Sequence, residues 1–201
     1  MAGFRGPKHK LSRRFGVDIF GTGGRSLERR MGTPPGGQPR GGRRRKPSEY
    51  ALQLEEKQKA KAIYGVREGQ FRRYYEQAAH RPGVTGENLL QTLERRLDNV
   101  VYRLSWGRTR PMARQLVSHG HIRVNGQRVT IPSFLVRPGE VITLSATAAE
   151  MPTVQEELGA HRPLPRWLAR DDGSARVLAL PTREDVDLPI DESRIIAFYS
   201  R

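Results

Sequence analysis

The sequence predicts an α+β fold in which most elements are helices and a small β-hairpin module follows them. Residues 48–65 and 68–79 consist mainly of helix-forming residues, and seven apolar residues between positions 89 and 104 recur at helical spacing. An Asn-Gly pair at 125 and 126 separates two short apolar runs, which is a strong hairpin signal. Helices should therefore build the first half of the fold, and a sheet should begin after residue 120.

The charge of the chain indicates its class of partner. Its 201 residues carry 36 Lys and Arg against 21 Asp and Glu, which gives a formal net charge of +15. Nucleic acid is the expected partner, because cationic side chains release the counterions condensed on a polyanion. An anionic membrane surface is the alternative, but no apolar run approaches the roughly 18 residues of a spanning helix, and no signal-peptide pattern opens the chain. We therefore expect a cytosolic protein.

The positive charge is concentrated in the first 46 residues. This segment has 13 Lys and Arg against two acids, and therefore +11 of the total +15, together with 11 of the 21 glycines. Such a composition buries too little apolar surface to offset the entropy of ordering it. We expect a basic, extended N-terminal arm that stays irregular until it meets its partner. Its candidate contacts are Arg13, Arg14, Arg43, Arg44, Arg45 and Lys46.

Two helices are expected after the arm. Ser48 is placed to cap the first, and Gly65 suits the left-handed position after its end. The second helix spans residues 68–79, where Phe71, Tyr75 and Ala78 share a face that we expect to pack in the core rather than stack on bases. The candidate nucleic-acid contacts on these two helices are Tyr50, Lys57, Arg72 and Arg73.

A third helix and a fourth should form an antiparallel pair. Thr85 is placed to cap the third helix, and the short connection at residues 105–109 turns the chain back, with Trp106 covering the junction. The apolar face of the third helix contains Leu89, Leu90, Leu93, Leu97, Val100, Val101 and Leu104. The fourth helix runs from about residue 110 to 119, with an apolar arc of Met112, Ala113, Leu116 and Val117.

The polar side of the fourth helix carries Arg110, Arg114 and Ser118 at a spacing of four residues. Arg108 and Arg110 lie where this helix begins, and cations at a helix N-terminus oppose the macrodipole. A bound phosphate would reverse that unfavourable interaction. A merely solvated surface, whose arginines cost a few tenths of a kcal/mol each, is the alternative interpretation.

His119 and His121 flank Gly120, which suits a helix C-terminus, and the hairpin about Asn125 and Gly126 follows. The two rings project from different backbone geometries, and no Asp or Glu lies between residues 99 and 139 to complete a metal set. We therefore predict no metal, no cofactor and no catalytic residue here, but a shallow surface for a nucleic-acid backbone. Its candidate contacts are Arg108, Arg110, Arg114, Ser118, His119, His121, Arg123, Asn125 and Arg128.

The rest of the chain gives weaker signals. A turn at Pro138 and Gly139 introduces a strand, EVITLS, at residues 140–145. TVQEELG at 153–159 and PRWLAR at 165–170 suggest short helices, and RVLALP at 176–181 suggests a strand. The last helix should be capped by Asp191.

Several long motifs carry a specific family resemblance. TGENLLQTLERRLDNVVYRL, RPMARQLVSHGHIRVNGQRVTIPSFLVRPGE and the terminal FYSR resemble the S-four family of bacterial small-subunit ribosomal proteins. GPKHKLSRRFGVDIFG, SEYALQLEEKQKAKAIYGV and QFRRYYEQA extend the resemblance through nearly the whole chain. It implies a mostly helical domain with an inserted RNA-binding module. The implied parts are an arm at 1–46, the first part of the helical domain at 47–93, the module at 94–157, and a C-terminal segment at 158–201 that packs on the helical domain.

The resemblance also implies a function. It predicts a structural constituent of the small ribosomal subunit that binds a helix junction in the 5′ domain of 16S rRNA early in assembly. It implies ribosomal proteins S-five and S-three as neighbours, a place near the messenger RNA entry channel, and an S-five interface that affects decoding accuracy. Many members carry a four-cysteine zinc knuckle, whose positions fall here on His9, Ser12, Ser26 and Met31. The resemblance therefore implies the zinc-free form, since the chain has no cysteine.

Two other functions stay open. The same module occurs in some pseudouridine synthases, so an RNA-modifying enzyme is one alternative. Such an enzyme needs a further sheet domain with a catalytic aspartate, and fewer than about 50 residues follow the module here. A stand-alone RNA-binding chaperone is the other alternative, and it predicts RNA binding without incorporation into the small subunit.

Overall fold

The computed structural model describes residues 6–20, 25–29, 35–36, 46–159, 163–171 and 173–200. The chain forms two compact units, of which unit 1 comprises Met1–Phe71 and Pro189–Arg201 and unit 2 comprises Arg72–Leu188. The predicted α+β class is confirmed, since helices dominate and an antiparallel sheet lies in unit 2. The division differs from the one expected for residues 158–201, because two strands of that segment belong to the sheet of unit 2.

The described part of unit 1 is helical. Its helices are α1 (Lys8–Phe15), α2 (Arg25–Arg29), α3 (Glu49–Ile63), α10 (Glu192–Tyr199) and the first residues of α4 (Glu68–Ala79). The expectation of an irregular arm is wrong for residues 8–15 and 25–29. Gly16, in the left-handed conformation, ends α1. Ile19 and Phe20 beyond it are buried and supply apolar surface that the low average apolar content of the arm did not indicate.

The helix ends of unit 1 follow their predicted signals. Ser48 accepts a hydrogen bond from the Ala51 amide at 3.3 Å and caps α3, and Gly65 follows the end of that helix with φ of 62°. Asp191 caps α10, as predicted, through the amides of Ser193 and Arg194. α10 packs on α3, where the Tyr50 and Phe198 ring centroids lie 5.7 Å apart.

A carboxylate network ties three elements of unit 1 together and makes its stability depend on pH. Lys57, Lys61 and Tyr199 donate hydrogen bonds to the Glu68 carboxylate at 2.8, 2.8 and 2.9 Å. Partial burial alone raises the pKa of Glu68, but these three bonds outweigh it and lower the pKa from 4.5 to about 2. Stability from this network is thus fully present above pH 4.5 and is lost as the pH falls towards 2.

We expect Glu68→Gln to lower the melting temperature at neutral pH and to lose that effect in acid. The reason is that protonation of Glu68 removes the same bonds from the wild type. Thermal unfolding of both proteins from pH 6 to pH 2 checks this expectation. A difference in melting temperature that stays constant over this range would contradict it.

The predicted third helix is two helices in unit 2, α5 (Thr85–Glu94) and α6 (Leu97–Arg103). Arg96 is extended, with ψ of 134°, and forms an isolated antiparallel bridge with Leu135. The amide of Val136 donates to the Arg95 carbonyl at 3.0 Å, and the amide of Leu97 donates to the Phe134 carbonyl at 2.8 Å. These bonds replace helical ones and permit the break. All seven apolar residues of the predicted face are nonetheless buried, so that part of the prediction is confirmed.

Further helices of unit 2 are α7 (Arg110–Ser118), α8 (Ala146–Ala149), α9 (Pro152–Gly159) and a 3-10 helix at Arg183–Asp185. Thr109 caps α7, whereas Thr85 is the first residue of α5 and not its cap. In α4 the buried aromatics are Phe71 and Tyr74, and Tyr75 is only half-buried. α6 and α7 pack on each other as the short connection predicted, and Trp106 between them is fully buried.

The strands of the described residues form one antiparallel sheet in the order β2-β1-β3-β5-β4. They are β1 (Ile122–Val124), β2 (Gln127–Arg128), β3 (Val141–Leu144), β4 (Leu168–Asp171) and β5 (Ser174–Val177). The hairpin prediction is confirmed, since Asn125 and Gly126 have φ of 50° and 80°. The helix predicted at PRWLAR is wrong, because Leu168 pairs with Val177 and begins an edge strand.

The core of unit 2 is apolar and continuous from α6 and α7 to the sheet. Leu116, Val117 and Ile122 from the helix-to-hairpin segment pack in it with Trp106 and Trp167. Burial of these side chains supplies the main stabilisation of unit 2. No helix in the described ranges combines the length and the apolar character needed to cross a membrane.

Candidate nucleic-acid interface

The segment from residue 99 to 139 contains seven arginines and no Asp or Glu. The arginines are Arg103, Arg108, Arg110, Arg114, Arg123, Arg128 and Arg137. Arg103 is half-buried and forms an ion pair with Glu94, whereas Arg108, Arg123, Arg128 and Arg137 are exposed. α7 and the hairpin of unit 2 thus present a cationic surface to solvent.

The N-terminus of α7 carries two arginines and no acidic residue in its first turn. Arg108 is exposed just before the Thr109 cap. Arg110 is half-buried, because its guanidinium lies 4.3 Å from the Tyr102 ring centroid and its Nε donates to Asn99 Oδ1 at 2.9 Å. The cation–π contact fixes this side chain at the helix end that favours anions.

The predicted stripe along α7 is formed, but its members are held by neighbours. Arg114 Nη1 lies 3.3 Å from Asp98 Oδ2, and the Ser118 hydroxyl donates to the Arg114 carbonyl at 2.7 Å. Asp98 is also the bidentate partner of the buried Arg96, at 3.0 and 2.6 Å. One carboxylate therefore serves two guanidinium groups, and this cluster keeps a positive charge.

The hairpin places two arginines directly opposite each other. Arg123 on β1 pairs in register with Arg128 on β2, and both are exposed. Their guanidinium groups turn apart, since Arg123 Nη1 donates to the Gly126 carbonyl at 3.2 Å and Arg128 Nη2 donates to the His119 carbonyl at 3.1 Å. Directly opposed like charges destabilise a strand pair by about 0.2–1 kcal/mol. The hairpin thus carries an electrostatic cost that a bound anion would remove.

Gly120 lets Arg128 reach the end of α7. Its φ is 77°, and a Cβ placed there would collide with the Arg128 guanidinium. Both the left-handed backbone and the crossing side chain therefore require glycine at this position. The Arg128 guanidinium lies at the negative end of the helix macrodipole, which stabilises this position.

The two histidines and Asn125 lie at the edge of the same surface. The rings of exposed His119 and half-buried His121 are 6.3 Å apart, and His121 Nδ1 lies 3.5 Å from the Ser145 hydroxyl. Asn125 Oδ1 accepts from the Val141 amide at 2.9 Å, so this oxygen fixes the sheet. Within the described residues, no three His, Asp or Glu side chains are grouped to bind a metal ion.

The remaining candidate contacts lie on other elements. Arg72 and Arg73 of α4 are exposed, and Arg72 pairs with Glu76 at 3.0 Å. Arg13 and Arg14 occupy the last turn of α1, and Lys46 and Tyr50 are exposed in unit 1. Arg43, Arg44 and Arg45 lie outside the described residues. For all of these residues, contact with nucleic acid stays a prediction.

Lys57 must be removed from the candidate contacts. Its side chain is buried, its Nζ bonds Glu68 at 2.8 Å, and it lies 4.2 Å from the Phe198 ring centroid. Its charge is thus used inside unit 1. The zinc-free form stays a prediction, which rests on the fact that among His9, Ser12, Ser26 and Met31 only His9 has a side chain that commonly binds zinc.

Three further arginines come together in unit 2 that were not among the predicted contacts, namely Arg81, Arg95 and Arg137. They lie far apart in the chain and follow no periodic pattern, so no local rule indicates their proximity. The apolar spacing continues through Arg95 and Arg96, so it gives no sign of the helix break beside them.

Comparison with known proteins assigns both parts of the chain to described families. Residues 3–94 match the model of the ribosomal protein S4/S9 N-terminal domain, and residues 95–142 match the S4 domain. The chain is 50% identical over 211 residues to the small ribosomal subunit protein uS4 of Pelotomaculum thermopropionicum, with all of both chains covered. It is 48% identical to uS4A of Symbiobacterium thermophilum and 49% identical to uS4 of Acetivibrio thermocellus, again over the whole of both chains.

Proposed function

Because the chain belongs to the S4 (S-four) family of small-subunit ribosomal proteins, we propose that it binds 16S rRNA through α7 and the hairpin of unit 2. It acts there as a structural constituent of the ribosome and not as an enzyme. Its partner is the RNA backbone, because arginine forks recognise phosphate oxygens without reading bases.

The observation that carries this proposal is the opposed pair Arg123 and Arg128. The two residues pair in register across an exposed hairpin, in a segment, 99–139, that has no carboxylate side chain. Among the described residues their guanidinium groups bond only backbone carbonyls, which accept hydrogen bonds but carry no full charge. A phosphate at the hairpin would offset the positive charge of the two, and a second phosphate of the same RNA backbone would meet Arg108 and Arg110 at the other end of α7.

Family membership supports the finer part of the proposal. We propose binding to the helix junction in the 5′ domain early in subunit assembly, in the bacterial cytoplasm. Ribosomal proteins S-five and S-three are the proposed protein neighbours, with the messenger RNA entry channel close by and decoding accuracy affected through S-five. The proposed module extends over residues 94–157, and unit 1 adds Arg13, Arg14, Lys46 and Tyr50 as RNA contacts.

The wild-type chain should bind a 5′-domain transcript of 16S rRNA with strong salt dependence. Each phosphate contact contributes about 0.7–0.9 to the slope of log affinity against log salt concentration, so at least three contacts give a slope steeper than about −2. Titrations between about 50 and 300 mM salt measure it, and a slope near −1 would refute the proposed surface. Sedimentation of a lysate separates the alternatives, because a stand-alone chaperone would not travel with the small subunit.

A further inference from the structure

The break between α5 and α6 brings two distant arginines side by side. The Val136 amide donates to the Arg95 carbonyl at 3.0 Å, and Arg95 Nε donates to the Val136 carbonyl at 2.8 Å. Both bonds hold residue 95 against the segment that contains Arg137. The backbone pairing therefore fixes Arg137 next to Arg95, although the two are far apart in the sequence.

A third arginine reaches the same place from the loop before α5. Arg81 Nη1 lies 3.4 Å from Thr92 Oγ1, and this hydroxyl donates to the Asn88 carbonyl at 2.8 Å. Thr92 precedes Arg95 by one helical turn at the end of α5, so their side chains lie on the same face. Arg81, Arg95 and Arg137 thus converge on one region of unit 2, called here the α5 arginine cluster.

The α5 arginine cluster is electrostatically unfavourable in the free protein. Burial lowers the pKa of Arg95, and repulsion from Arg81 and Arg137 lowers it further, with only Glu140 opposing the effect. Glu140 already accepts the backbone amide of Arg137 at 2.9 Å. Carbonyl groups at the end of α5 favour a cation there by about 0.3–1 kcal/mol, which explains one arginine but not three.

We propose that the α5 arginine cluster is a second phosphate-binding site, which holds a phosphate group of the bound RNA. It rests on the proposed RNA binding and adds a contact on elements other than α7 and the hairpin. Phosphate suits the cluster because its several oxygens accept from guanidinium groups that approach from different directions. Arg137 is exposed, and its guanidinium makes no hydrogen bond with the described residues.

Arg81→Gln and Arg137→Gln test the site in the full chain, and Arg95 is left unchanged because its side chain also holds Val136. Each variant should bind the 5′-domain transcript roughly tenfold more weakly, since one charge-assisted contact is lost. The salt slope should fall by about 0.7–0.9 per lost phosphate contact. The melting temperature should stay level or rise, because repulsion in the cluster decreases. Exposed Arg166→Gln is the control with the same loss of charge, and it should keep the wild-type affinity.

Arg137→Glu should change the stability of the protein and its affinity for RNA in opposite directions. The new carboxylate beside Arg95 should raise the melting temperature, while RNA affinity falls further than in Arg137→Gln. A variant that loses affinity only because its melting temperature falls would overturn the site in favour of a structural role. The proposed site would also be overturned if both glutamine variants kept the RNA affinity and the salt slope of the wild type.

Binding of free phosphate and failure of RNA binding altogether give different results. If inorganic phosphate raises the melting temperature of wild type but not of Arg137→Gln, and RNA affinity is equal in both, the site takes free anions and the RNA claim is overturned. If wild type itself shows no steep salt slope, the proposed function fails and this site fails with it. If the wild type shows a steep salt slope, and Arg123→Gln weakens RNA binding but Arg137→Gln does not, only the α5 site is wrong.

Discussion

Replacement of Arg103 by methionine is expected to destabilise unit 2 by about 3–5 kcal/mol, because it leaves a buried carboxylate without its cation. Arg103 Nε and Nη2 each donate to the Glu94 carboxylate at 3.0 Å, and Glu94 is 0% exposed. Burial alone would lower the pKa of Arg103, but Glu94 and Asp187 raise it above its ordinary value. Urea unfolding of the full chain measures the loss.

The double variant Glu94→Gln/Arg103→Met is the matched control for this prediction. Its neutral amide keeps the bond with Asn99 and needs no cation, so we expect it to recover more than half of the lost stability. Asp187→Asn is a second control, since its side chain is 74% exposed and such pairs contribute little. A loss below about 1 kcal/mol in Arg103→Met would mean that Glu94 finds another partner or becomes protonated.

Local signals predicted the N-terminal caps of α3 and α10 and the hairpin because the interacting groups are close in sequence, whereas the cap predicted at Thr85 was wrong. Ser48 caps the amide three residues later, and Asp191 caps amides two and three residues later. Asn125 and Gly126 adopt positive φ in a two-residue turn whose strands adjoin it. Such interactions form within a few residues and depend little on the rest of the chain.

The break at Arg95 and Arg96 could not be predicted in this way. The apolar spacing continues through it, so periodicity alone indicates one helix. The bonds that replace the helical ones come from residues 134–136, which are distant in the sequence. Likewise, Leu168 lies in a strand because Val177 pairs with it, and the composition of PRWLAR contains no sign of that partner. Tertiary context overrides local propensity at both places.

The candidate site shows the same limit. Exposed arginines of α7 and the hairpin were identified from helical spacing and from the absence of acids, both of which are local properties. Lys57 was misjudged because its partners, Glu68 and Phe198, belong to other helices, and Phe198 lies near the far end of the chain. The sequence records its charge but not its burial. Charge counts therefore identify a cationic segment, and only the fold decides which cations face solvent.

The double variant Arg123→Gln/Arg128→Gln is expected to bind the 5′-domain transcript at least about 100-fold more weakly than wild type. Each charge-assisted hydrogen bond to phosphate contributes about 1.5–3 kcal/mol, and tenfold in affinity corresponds to about 1.4 kcal/mol. The salt slope should fall by about 1.4–1.8, because two contacts are lost. Affinity titrations at several salt concentrations measure both quantities.

Stability should change little in this variant, because two effects oppose each other. Loss of the opposed charges relieves the hairpin, and loss of the Arg128 bond to the His119 carbonyl weakens the end of α7. The corresponding change at Arg110 and Arg114 is a poorer test, since Arg110 packs on Tyr102 and Arg114 pairs with Asp98. Their replacement by glutamine would disturb contacts inside unit 2 as well as any RNA contact.

Leu116→Ala separates loss of contact from loss of folding. Leu116 is 5% exposed in the core beneath α7, and its truncation should cost about 2–5 kcal/mol of stability. At a temperature where this variant remains folded, it keeps all the arginines, and its salt slope should equal that of wild type. If the hairpin variant instead keeps the wild-type salt slope and RNA affinity, Arg123 and Arg128 do not contact RNA. A role other than RNA binding must then explain why two arginines lie opposite each other on the hairpin.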